Sequence, residues 1–126
     1  MIVVADSSSI ISLVSIGRLA LLNELFDECI IPEEVFKEII EFDKPHSEYL
    51  KVFFQSRVRK VIDDIAVKLL MNDLDKGESE VIVLALETGF EVILIDDLKG
   101  RKVAKNNGLK VIGTLGILLE SKKNGF

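Results

Sequence analysis

The sequence predicts an α/β fold: three layers, α/β/α, around a central and mainly parallel sheet. Three observations predict it. Short segments such as Ile2–Ala5 and Val92–Ile95 are continuous apolar runs without polar alternation, the mark of strands covered on both faces. Each run is followed closely by helix-starting residues and a helical apolar pattern. Strand and helix then alternate along the chain, as parallel strands joined by helical crossovers require.

The elements follow in order. Ile2–Ala5 is a strand that ends in Asp6. Asp6-Ser7-Ser8-Ser9 is rich in N-capping residues and opens a helix that Gly17 stops. Arg18–Phe26 is a second helix, with Leu19, Leu22, Leu25 and Phe26 on one side. Cys29–Ile31 is a strand. Pro32 stands at the start of the helix Glu33–Glu41, where its missing N–H costs nothing. Asp43–His46 is a polar loop and Ser47–Gln55 a helix. Arg57–Ile62 alternates basic and apolar residues, as a charged edge strand does. Ile65–Met71 is a helix. Asp75–Thr88 is another, with Asp75 and Glu78 at capping-box spacing and Gly89 at its end. Val92–Ile95 is a strand closed by Asp96-Asp97. Leu98–Asn107 is a helix, Lys110–Ile112 the last strand, and Leu115–Lys123 the last helix, capped at Gly113-Thr114.

The composition narrows the chemistry. A chain of 126 residues, 48% of them hydrophobic, builds one core, so residues 1–126 are expected to form a single domain. That apolar content excludes intrinsic disorder. One cysteine, Cys29, excludes a disulfide framework, and it is expected in the core. One histidine, His46, excludes multi-histidine metal sites and is expected at the surface. No run is long and apolar enough to cross a membrane, and the apolar N-terminus lacks the basic start of a signal peptide; a cytoplasmic location is expected. No Walker or G-x-G-x-x-G loop is present, which argues against a nucleotide cofactor. The net charge is −5, but it is unevenly spread: residues 1–98 carry 9 basic and 20 acidic side chains, residues 99–126 carry 7 and 1. An acidic body beside a basic end could hold metal ions and a phosphate backbone together.

Parallel strands carry their C-terminal ends to one edge of the sheet, where α/β folds bind ligands. Asp6 and the pair Asp96-Asp97 end two such strands. On the helix Asp75–Thr88, at about 100° per residue, Val81, Ile82 and Ala85 lie within about 60° of Glu78, whereas Glu80 lies about 200° away beside Glu87. Glu78 therefore points along an apolar face and needs a partner; Glu80 is expected to face solvent. On the helix Glu33–Glu41, Glu38 borders the apolar face on one flank and Glu33 on the other, and periodicity does not separate them. Of Asp96 and Asp97, one reads as a helix cap and the other as a ligand. Carboxylates about 4 Å apart repel by about 4 kcal/mol at an effective dielectric of 20. A cluster of them either retains protons or binds cations, and hard divalent ions such as Mg²⁺ or Mn²⁺ suit such oxygens.

Five stretches in order resemble the PIN-domain family, and more narrowly its small prokaryotic VapC-like and predicted nucleic-acid-binding members. They are Val3–Ser8, Ile31–Glu38, Leu74–Glu80, Leu94–Arg101 and Val111–Gly116. The resemblance spans nearly the whole chain. It implies a PIN-like fold and a Mg²⁺- or Mn²⁺-dependent endoribonuclease, in toxins one member of a toxin–antitoxin pair. Carried onto this sequence, the family's acids fall on Asp6, Glu38, Glu78 and Asp96, with Asp97 as the neighbouring ligand. Ser7, Ser8 or Thr114 would support them. The family also implies an RNA substrate, a homodimer and a small antitoxin that covers the site.

Two other readings compete with a nuclease. One is a catalytically silent module of the same fold that binds RNA or a protein. The other is a phosphoacceptor domain, disfavoured because its strand-end lysine has no counterpart: Lys110 precedes the last strand. Arg101, Lys102 and Lys105 follow the acidic pair at helical spacing, either as phosphate contacts or as a solvated face.

Overall fold

The computed structural model describes residues 1–41 and 43–126. Among them lie five strands and eight helices: β1 (Ile2–Ala5), α1 (Ser7–Ser15), α2 (Leu21–Leu25), β2 (Glu28–Pro32), α3 (Glu33–Ile39), α4 (Ser47–Phe54), β3 (Val58–Arg59), α5 (Asp64–Leu70), α6 (Lys76–Thr88), β4 (Val92–Leu94), α7 (Leu98–Asn106), β5 (Lys110–Ile112) and α8 (Thr114–Lys123). The sheet runs β3-β2-β1-β4-β5 and every pairing is parallel. This is the expected three-layer α/β/α architecture.

The central strands explain the apolar runs. Val3, Val4 and Ala5 of β1 are fully buried, as are Cys29 and Ile31 of β2 and Ile93 and Leu94 of β4. Cys29 thus belongs to the core, and burial pushes its thiol up to about 12, so it is inert as a nucleophile. Helices α1 and α2 pack with α8, while α5 and α7 pack on α6. Helix α3 touches both α1 and α6 and so joins the two helical layers.

The register places the site. Ala5 pairs with Leu94, and Leu94 with Ile112. The ladder runs one step further, with the Asp6 N–H donating to the Leu94 carbonyl and the Ile95 N–H to that of Ile112. Asp6, Ile95 and Gly113 therefore leave the sheet side by side, with the start of α3 beside them on the β2 side.

Several elements are shorter than the sequence suggests. Helix α2 begins only at Leu21, because Leu21 and Leu22 bond three residues back to Arg18 and Leu19 in a tighter turn. The strand expected over Arg57–Ile62 is an edge strand, as its charge implies, but only Val58–Arg59 pairs. Beyond it the N–H groups of Ile62 and Asp63 donate to the Glu87 carboxylate of α6 and draw the chain off the sheet. Helix α3 stops at Ile39, which leaves Glu41 outside it. His46 is exposed, with a left-handed φ of 68° before α4. No helix among the described residues is long and apolar enough to cross a membrane.

Leu94 is fully buried at the centre of this sheet. Leu94→Ala should cost about 2–5 kcal/mol, seen as a lower urea midpoint at unchanged slope.

Candidate active site

Each acid at the sheet edge has a definable anchor. Asp6 is the N-cap of α1: its Oδ1 accepts the Ser9 N–H at 3.0 Å, and the residue is only 3% exposed. Asp75 caps α6, and with Glu78 it forms a complete capping box. Asp75 Oδ1 accepts the Glu78 N–H at 2.8 Å, and Glu78 Oε1 accepts the Asp75 N–H at 3.3 Å. Asp97 caps α7 by accepting the Gly100 N–H at 2.8 Å. Asp96 accepts twice from Thr114, the N–H at 2.7 Å on Oδ1 and the hydroxyl at 2.6 Å on Oδ2. The capping position before α8 is occupied by Gly113, so Thr114 serves Asp96 rather than capping the helix.

Glu38 is the exception. It lies in the last turn of α3, and its Oε1 is buried with no hydrogen-bond partner. It sits against Gly77 of α6, where a Cβ would collide with that same oxygen. This is why Glu38 separates from Glu33, which is exposed on the opposite flank. The α3–α6 contact that makes the difference is tertiary.

The carboxylates feel one another. Burial pushes Asp6 up to about 6, opposed by its Ser9 hydrogen bonds and reinforced by the charges of Asp96 and Asp75. Burial pushes Glu38 up to about 7, with Asp75, Glu34 and Asp6 adding repulsion against the pull of Lys44. Glu78 is also pushed up to about 7 by burial and by Asp75, with further repulsion from Asp97 and Asp6. Asp75 thus raises all three of the others. The sequence marked it only as a cap; the signal that it belongs with the acids was its capping-box partner, Glu78. No group of three histidine, cysteine or acidic residues among the described residues already forms a cage for an ion. The acids share an edge and a field but do not yet converge on one point.

One expectation needs correction. Glu80 does not face open solvent. Its Oε1 accepts the Glu34 N–H at 3.2 Å, and burial raises its carboxyl above the usual range. The reason is again α3, which covers the side of α6 that its own periodicity marks as polar. The bond that Asp6 accepts comes from the backbone N–H of Ser9, whose hydroxyl is buried without a partner.

A groove of about 470 Å³ lies beside this cluster, between α3, α5 and α6, and is lined by Lys37, Lys60, Lys68 and Lys76 among others. It meets the cluster through the Glu34–Lys76 ion pair. It contains none of Asp6, Glu38, Glu78 or Asp96, so it flanks the acids rather than holding them.

The raised carboxyls of Asp6, Glu38 and Glu78, joined by that of Glu80, set a pH dependence. Between about pH 4 and 7 the folded chain holds more protons than the unfolded one, so stability falls as pH rises. This contribution is fully present below the unfolded values and is lost as pH passes through about 6 for Asp6 and about 7 for Glu38 and Glu78. In the presence of a chelator, the Tm should be higher near pH 5 than near pH 7.5. Asp6→Asn should flatten part of that slope, because it removes one of the repelling charges.

No curated protein matches the chain. A family model described as a PIN domain matches residues 2–126, a span that takes in every acid described above, and the chain belongs to the PIN-domain family.

Proposed function

We propose that the protein is a divalent-metal-dependent endoribonuclease whose ions are held by Asp6, Glu38, Glu78 and Asp96, with Asp97 beside them. PIN domains are generally nucleases. The observation that carries the finer reading is Glu38: a buried, unpartnered carboxylate oxygen within the field of Asp6 and Asp75, in a site where Asp6 and Glu78 are raised as it is. Such an oxygen needs either a proton or a cation. The donor set is all carboxylate, which fits a hard ion such as Mg²⁺ or Mn²⁺.

When bound, such an ion neutralises the carboxylates and supplies Lewis-acid activation of water and phosphodiester. The chain's own groups have separate roles. The Ser9 N–H fixes the Asp6 carboxylate, and Thr114 fixes that of Asp96. The Asp75 N–H holds Glu78 Oε1, which leaves Oε2 for a ligand or a proton.

The same reading makes the protein the toxin of a toxin–antitoxin pair, acting in the cytoplasm as a homodimer with residues 1–126 as one domain. A small antitoxin would be its protein partner. Ile62, and Ile65 and Leu69 of α5, are 84%, 73% and 65% exposed and offer apolar surface of the kind a protein partner covers. A silent binding module would retain the fold but has no need of the raised acids or of the unpartnered Glu38.

Asp6→Asn should reduce cleavage of single-stranded RNA to background while the chain stays folded. Retained cleavage in that variant would sink the assignment. Calorimetry with Mn²⁺ near neutral pH should show binding that the same variant weakens. Gly77→Ala should lower cleavage by about a hundredfold at nearly unchanged Tm, because its Cβ displaces the Glu38 carboxyl without deleting it.

A further inference from the structure

The chain has four arginines, and three have partners. Arg18 donates to the Phe126 carbonyl. Arg57 donates to Asn23 and lies over the Phe53 ring. Arg59 pairs with Glu28. Among the described residues the guanidinium of the half-buried Arg101 donates no hydrogen bond, and it lies near the Asp96 carboxylate without a direct ion pair to it. Asp96, which lies against Gly113 as Arg101 does, has both oxygens engaged by Thr114. A guanidinium carries five donors in a fixed fork that matches a phosphate.

The place is built for that side chain. Gly113 has an ordinary φ of −103°, so its lack of a side chain is not a backbone requirement. A Cβ there would fall 2.6 Å from Arg101 Nη1 and 2.9 Å from Asp96 Oδ1. The glycine is a notch that lets the guanidinium lie beside an acid of the cluster. The two share a groove of about 290 Å³ whose other wall is Leu115 and Leu119, 69% and 57% exposed. Lys102 and Lys105 extend the positive charge along the exposed side of α7. They belong to the segment 99–126, with 7 basic residues against 1 acidic.

We infer that Arg101 binds a phosphodiester of the RNA strand next to the one at the acid cluster, with the adjoining base lying against Leu115 and Leu119. The inference rests on the nuclease reading for the identity of the strand. It gives the basic C-terminal segment a defined part in binding, which is to hold, beside a strongly acidic site, a polyanion that the acids alone would repel. A fork on phosphate positions the strand and does not read its sequence.

The test is fluorescence anisotropy with a labelled single-stranded oligouridine and the Asp6→Asn chain in Mg²⁺ buffer, where binding is read without cleavage. Arg101→Ala in that background should weaken binding roughly tenfold and reduce the slope of log K against log salt by about 0.7. Arg101→Lys, which keeps the charge and loses the planar fork, should also weaken binding, and it serves if Arg101→Ala does not fold. Lys122→Ala, at the far end of α8, is the control for net charge. If Arg101→Ala and Arg101→Lys weaken binding no more than Lys122→Ala, the inference is overturned; a guanidinium that serves an acidic protein partner gives this same result. The two readings also fail separately. Binding that depends on Arg101 in a chain that cleaves no RNA removes the nuclease and retains the phosphate site. Normal cleavage with unchanged affinity does the reverse.

Discussion

Like-charge repulsion at one edge of the sheet shapes this molecule, and helix N-termini are what oppose it. Asp6 caps α1, Asp75 and Glu78 form the capping box of α6, Asp97 caps α7, and Asp96 accepts the first N–H of α8. Each carboxylate therefore faces unpaired N–H groups and the positive end of a helix, worth about 0.3–1 kcal/mol apiece at exposed sites. Helices α1, α7 and α8 start at this edge because every strand is parallel, so each begins where its strand ends, and α6 brings its own N-terminus to the same acids. Glu38 alone arrives from the wrong end of a helix, in the last turn of α3, and among these acids it alone leaves a buried oxygen without a donor.

Glycines make the close approaches possible. Gly77 admits the Glu38 carboxyl to the surface of α6. Gly100 lies where a Cβ would press on Ile95 and come near both Glu78 and Asp97. Gly113 admits Arg101 and Asp96 together. None of these three has a positive φ, so none is demanded by its own backbone. Each is demanded by a side chain from another element.

The division of charge follows the same geometry. The acids gather on α3 and α6 and at the ends of β1 and β4, and the segment that follows, over α7, β5 and α8, is net basic, with 7 basic residues against 1 acidic. A strand of nucleic acid lying across the edge would have those cations on its flank. That arrangement favours a polyanion over a neutral ligand.

The α/β class, the order of elements and most caps were legible in the amino-acid sequence, because apolar runs, glycine stops and capping spacings are local signals. Asp6, Glu78 and the Asp96-Asp97 pair also stood out as strand-end or inward-facing acids, since parallel topology and helical angle suffice for that. Local signals could not separate Glu38 from Glu33, place Glu80 against α3, bring Asp75 into the field of the other acids or find the Gly113 notch. Those depend on how α3 lies across α6 and how the start of α8 meets α7, and contacts between helices distant in sequence leave no trace in the periodicity of either. Packing settles which face of a helix is truly outside.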